Sequence, residues 1–128
     1  MTLELLNQVD ADAITFEMKS SNLADIDEVG RVITGKKIAI GAIDHHTLQI
    51  ESPEEVAEVA RTALRHIPAE RLMLSSDCGM GREGMGRRHA YYKMVALVQG
   101  ANIVRHELGL PEASSRGADP RFSLLRAR

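Results

Sequence analysis

Residues Ile38-Ala39-Ile40-Gly41-Ala42-Ile43 form a continuous apolar run, preceded by Lys36-Lys37 and followed by Asp44-His45-His46-Thr47. A run of this length without polar alternation predicts a strand covered on both faces, as parallel sheets require. Two shorter runs follow suit. Ala13-Ile14-Thr15-Phe16-Glu17-Met18 predicts a strand with Glu17 near its C-terminal end, and Leu72-Met73-Leu74-Ser75 predicts one that leads into Asp77-Cys78-Gly79. Elsewhere the apolar positions take helical spacing. Leu23, Ile26, Val29, Val32 and Ile33 predict a helix over 23–33, with Ser20, Ser21 and Asn22 as N-cap candidates and Gly35 as its stop.

Ser52-Pro53-Glu54-Glu55 combines an N-cap serine, a first-position proline and a glutamate that closes a capping box. Val56, Val59, Ala60, Ala63, Leu64 and Ile67 give that helix its apolar face, and Pro68 ends it. A long helix over 86–108 carries Ala90, Met94, Val95, Val98, Ala101, Ile103, Val104 and Leu108 on or beside its buried face, and Gly109 and Pro111 stop it. Leu3 to Val9 reads as the tail of a helix. Beyond Glu112 a loose tail is expected, with Phe122, Leu124 and Leu125 as docking points.

Strand and helix alternate three times, which predicts an α/β fold with a parallel sheet. Parallel strands put their C-terminal tips on one rim, and α/β folds keep their chemistry there. Glu17, His46 and Cys78 each stand at such a tip. Composition narrows the picture further. Aromatics are 3% of the chain and Trp is absent, so aliphatic side chains and Met must fill the core. A formal charge of −2 makes no case for a nucleic-acid or membrane partner. The lone cysteine rules out an intrachain disulfide. No apolar run approaches a membrane span and no signal-peptide pattern opens the chain, so a cytoplasmic location is expected.

Cys78 has two readings: a small buried apolar side chain, or a thiolate that ligates a soft metal or acts as a nucleophile. Asp44 is placed to accept from a neighbouring histidine N–H, and Asp77 to cap the turn after the third strand. Arg82, Arg87, Arg88 and His89 cluster before and within the first turn of the last helix, where cations oppose the helix dipole. They read as a solvated basic rim or as an anion site. Gly79, Gly81, Gly84 and Gly86 do not form a phosphate-binding loop, because the required Lys and Ser/Thr are missing. Met80 and Met85 read as lid or packing residues rather than ligands, and His66, His89 and His106 follow no metal spacing.

Three segments together, Asp10-Ala11-Asp12-Ala13-Ile14-Thr15-Phe16-Glu17, Gly41-Ala42-Ile43-Asp44-His45-His46 and Asp77-Cys78-Gly79, resemble the C-terminal catalytic barrel of cobalamin-independent methionine synthases. The order matches, and so do the separations of 61 residues from Glu17 to Cys78 and 32 from His46 to Cys78. The resemblance implies a zinc enzyme in which Glu17 and Cys78 are metal ligands and His46 is the catalytic acid. It implies methyl transfer from 5-methyltetrahydrofolate to the thiol of homocysteine, giving methionine. The family's remaining ligands, a His-x-Cys pair, lie upstream of the glutamate strand. A (β/α)₈ barrel needs roughly 200 residues or more. The resemblance therefore implies a partial TIM barrel, the final three βα units over 1–110 followed by an irregular tail over 111–128, completed by a second chain. Two alternatives remain: a related zinc-thiolate alkyl transferase acting on a thiol such as coenzyme M, and a truncated, inactive fragment whose open strand edge self-associates.

Overall fold

The computed structural model describes residues 2–82 and 84–124. Its elements run α1 (Leu3–Asn7), β1 (Ala13–Phe16), α2 (Ile26–Val32), β2 (Lys37–Ile43), α3 (Pro53–Leu64), β3 (Leu72–Ser76) and α4 (Arg87–Glu107), with two 3₁₀ turns at Arg116–Ala118 and Pro120–Phe122. The strands form one parallel sheet in the order β1-β2-β3. This is the expected α/β class, three consecutive βα units of the kind a (β/α)₈ barrel repeats. Among the described residues no helix is long and apolar enough to cross a membrane.

β2 is central because its sequence suits no other place. Every residue from Ile38 to Ile43 is buried, and successive side chains point to opposite faces, so both faces of this strand are covered. Ile14 pairs with Ile38 on one side and Leu72 with Ile38 on the other. The β2–β3 register slips after Gly41 and Ser75, so that Ile43 stands opposite Ser76. The outer strands are only partly covered: β1 alternates exposed and half-buried positions, and Met73 of β3 is 45% exposed. The main core joins Ile38, Ile40 and Ile43 of β2 to Val29 and Ile33 of the α2 segment, and to Val56, Val59, Ala63 and Ile67.

α3 starts as its sequence predicts. The Ser52 hydroxyl accepts from the Glu55 N–H at 3.1 Å, and the Glu55 carboxylate accepts from the Ser52 N–H at 2.6 Å. α4 ends in a Schellman turn: Gly109 takes φ +69°, its N–H bonds to the His106 carbonyl, and the Leu110 N–H bonds to the Arg105 carbonyl. α3 and α4 pack closely at Gly100, where a Cβ would stand 2.5 Å from Val56 Cβ and 2.6 Å from the Pro53 carbonyl oxygen.

The structure corrects four expectations. β1 stops at Phe16 rather than Met18, and α2 starts at Ile26 rather than Leu23. Ser20, Ser21 and Asn22 do not cap it. Asn22 and Leu23 have φ of 54° and 60°, outside any helix, and the serine hydroxyls are spent locally, on Glu17 and on the Met18 carbonyl. On α4, Leu108 is 48% exposed while Lys93, Gly100 and Asn102 are buried. The tail, finally, is docked rather than loose. Asn102 exchanges hydrogen bonds with the Ala113 backbone, Gln99 donates to the Gly117 and Asp119 carbonyls, and Phe122 sits edge-on to Tyr91. Leu124 is half exposed, and Leu125 lies outside the described residues.

Gly100→Ala is expected to destabilise the chain by about 1–3 kcal/mol, because the added methyl overpacks a contact made partly of backbone. Urea unfolding checks this. An unchanged midpoint would mean that α4 is free to move off α3.

Candidate functional site

The site is built from the segments that follow the strands. Asp77, just past β3, is 8% exposed and turns back across the sheet. Its carboxylate accepts the backbone N–H groups of Met18, Lys19 and Ser20 at 2.9, 2.8 and 2.7 Å. The path runs over Gly41 of β2, where a Cβ would stand 1.9 Å from Asp77 Oδ1. Glycine at 41 is thus the condition for the contact. The acid does not cap its own turn, as its position suggested; it holds the segment after β1 and so places Glu17.

The segment after β2 is held from beneath. Lys93 of α4 is fully buried, and its Nζ lies 3.0 and 3.1 Å from the two Glu51 carboxylate oxygens. The same ammonium donates to the Asp44 carbonyl at 3.0 Å and the Gln49 carbonyl at 2.6 Å. Glu51 in turn accepts the Asp44 N–H at 2.9 Å. Both charges are out of water and each is paired and hydrogen-bonded, the condition under which buried charges are tolerated. This pair ties both ends of residues 44–51, the segment that carries His45 and His46. Neither Lys93 nor Glu51 was anticipated as part of the site. The signal for Lys93 is a lysine on the same helical face as Ala96, Gly100 and Val104, where a solvated charge has no place.

Three side chains meet above this support. Glu17, His45 and His46 each offer a ligand atom within 4.8 Å of the others. His45 Nδ1 lies 4.0 Å from Glu17 Oε1, and the two imidazoles are 3.9 Å apart, tilted by 41°. Glu17 is steadied by the Ser20 hydroxyl, which donates to its Oε1 at 3.2 Å. His46 is steadied by Asp44, whose Oδ1 lies 3.1 Å from His46 Nδ1 and accepts the His46 N–H at 2.7 Å. Asp44 therefore has the orienting role its position suggested. Burial acts to raise the Asp44 carboxyl, but the hydrogen bonds from His46 and the charges of His46 and Lys93 outweigh it and hold it below the usual value. A second group, Asp44, His45 and Asp77, also gathers within 4.8 Å, but its two carboxylates are already occupied by backbone donors.

Of the residues singled out from sequence, Glu17 and His46 are brought together. Cys78 is an exposed free thiol, which removes its reading as a buried apolar residue, and it belongs to neither group of three. His45, treated from sequence as a rim residue, is in both. Arg82 reaches the His45 carbonyl at 3.4 Å, and Arg87 and Arg88 stay exposed. Carboxylate and imidazole are ordinary zinc donors, so the residues gathered here suit that metal. A groove of about 1020 Å³ between the start of α3, α4 and the tail includes Pro53, Gln99 and Arg121 but none of the rim residues. Chemistry, not concavity, locates the site.

Two outcomes test the support. Lys93→Met strands the Glu51 charge and is expected to cost about 3–5 kcal/mol, while Lys93→Met/Glu51→Gln recovers part of it in a double-mutant unfolding cycle. Additive losses would deny the pairing. For Asp44, a carboxylate with lowered pKa stabilises the fold fully above the ordinary carboxylate range, and that contribution is lost as pH falls through the lowered value. A carbon-13 titration of Asp44 should show a midpoint below 3.8 that rises in His46→Ala.

Comparison with known proteins places this geometry in context. Residues 1–102 match the family described as cobalamin-independent synthase, catalytic domain. The methionine synthase of Thermococcus kodakarensis is 34% identical over 105 residues, which is 82% of this chain and 30% of that protein. The methionine synthase of Saccharolobus islandicus is 36% identical over 103 residues, 80% of this chain and 30% of the relative. The structure of a B12-independent methionine synthase from a Shewanella species, in complex with selenomethionine, superposes with a TM-score of 0.74 at 36% identity, covering 84% of this chain and 30% of that one. The chain thus spans about 30% of the length of the relatives it matches. It belongs to the cobalamin-independent synthase catalytic-domain family.

Proposed function

We propose that this chain supplies the Glu17–His46–Cys78 rim of a zinc-dependent methyltransferase that moves a methyl group from 5-methyltetrahydrofolate to the thiol of homocysteine in the cytoplasm. The family match over residues 1–102 carries the proposal. The convergence of Glu17 and His46 on one rim supports it. The chain spans about 30% of the length of its Thermococcus kodakarensis relative, and the proposed active form includes the remaining strands and ligands, assigned to a second chain.

Zinc would be held by Glu17 and Cys78 together with ligands from that second chain. When bound it stabilises a substrate thiolate at neutral pH. The chain's own groups have separate tasks. Ser20 and Asp77 fix where the Glu17 carboxylate points. Asp44, set against Nδ1 of His46, favours the proton on that nitrogen and leaves Nε2 out of the contact. His46 is the side chain suited to give a proton to the folate nitrogen as the methyl group departs. Lys93 and Glu51 keep the His46 segment from relaxing between turnovers.

Methionine formation is to be measured with this chain alone and with the part of the Thermococcus kodakarensis enzyme that it does not span, co-elution on gel filtration showing that the two assemble. The pair is expected to form methionine and the chain alone is not. Cys78→Ser should reduce the pair's rate at least 100-fold, and His46→Gln should reduce it roughly 10²–10⁴-fold. An assembled pair that methylates coenzyme M instead, or nothing, would overturn the proposal.

A further inference from the structure

We infer that Glu17, His45 and His46 form a divalent-cation site belonging to this chain alone, independent of Cys78. His45 is the deciding residue. Its Nδ1 is shielded from solvent and has no hydrogen-bond partner among the described residues, yet it lies 4.0 Å from the Glu17 carboxylate. A buried ring nitrogen left without a partner is destabilising, and a shared cation satisfies both it and the facing carboxylate. The 4.0 Å separation is too long for a hydrogen bond. It is close to the roughly 3.3–3.5 Å that two ligand atoms span around a tetrahedral zinc with bonds of about 2.0–2.2 Å. Glu17 is 48% exposed and braced by the 3.2 Å contact from the Ser20 hydroxyl, so a small rotation of the carboxylate closes the remainder.

The surrounding groups fit the same reading. Asp44 Oδ1 lies 3.1 Å from His46 Nδ1, the carboxylate–imidazole contact that orients a ligating ring. Ser20 steadies Glu17 in the same way. Two imidazoles and one carboxylate make a site for zinc or cobalt(II), with further positions open to water or to a substrate thiol. His46 is a ligand in the isolated chain and a proton donor in the completed enzyme; the roles belong to different assemblies. The site stands apart from the methyl-transfer proposal, since it needs neither Cys78 nor a second chain.

The test uses the full chain with zinc chloride and cobalt chloride as probes, read by calorimetry and by visible and near-ultraviolet absorption. One zinc per chain is expected. Cys78→Ser should change its affinity less than two-fold, and His45→Ala or Glu17→Gln should weaken it at least ten-fold with unchanged circular dichroism. Cobalt in the unmutated chain should show ligand-field bands without the near-ultraviolet thiolate charge-transfer band, a readout that depends on no variant. Absence of zinc binding, a strong thiolate band, or loss of binding in Cys78→Ser but not in His45→Ala would overturn the inference. The methyl-transfer proposal fails separately, in the reconstituted assay.

Discussion

One carboxylate organises the rim. Asp77 reaches from the end of β3 across β2 to three successive backbone N–H groups after β1, and it can do so only because residue 41 has no side chain. Hydrogen bonds to an ionised acceptor are about twice as strong as neutral ones, and three of them satisfy donors that no secondary structure uses. The consequence extends in both directions along the chain. Upstream, β1 ends early and Glu17 is set at the rim. Downstream, Asn22 and Leu23 are forced into left-handed conformations, and α2 begins only at Ile26. A contact between residues 59 positions apart thus decides both a strand end and a helix start.

Lys93 and Glu51 do for the second segment what Asp77 does for the first, by a different means. Here a buried ion pair braces the loop from the helix layer, with two loop carbonyls completing the lysine's coordination. Such pairs contribute little net stability against a well-packed apolar alternative, because desolvation offsets the attraction. What the pair does provide is a specific loop conformation. Glu17, His45 and His46 are therefore positioned from two independent supports, one within the sheet layer and one beneath it.

The sheet and α3 were legible because local signals agree with the global arrangement: the apolar run of β2, the capping box at Ser52 and the glycine stop at Gly109 each state one structure. α2 was misplaced because Ser20, Ser21 and Asn22 are good caps whose behaviour is overridden by an acid far along the chain. The buried face of α4 was misread for a similar reason. Lys93 and Asn102 look like solvent residues by type, yet their partners, Glu51 and the Ala113 backbone, are brought to them only by tertiary folding. Motif spacing singles out Glu17 and His46, and the structure brings the two together. His45 was passed over, since adjacency to His46 says nothing about which ring turns inward.

The division of the site follows from the architecture of the fold. A barrel draws its functional groups from the tips of several strands, so three βα units carry part of a constellation and its whole local support. Glu17 and His46 are steadied within this chain, by Ser20 and Asp44, without any group from outside it. Cys78, by contrast, stands exposed beyond the Asp77 anchor, on a glycine-rich segment. The chain thus holds Glu17 and His46 in place and leaves the Cys78 thiol exposed. The cation site inferred for the isolated chain draws on those two groups and His45 alone. Engagement of the thiol then depends on whatever closes over the rim between β1 and β3.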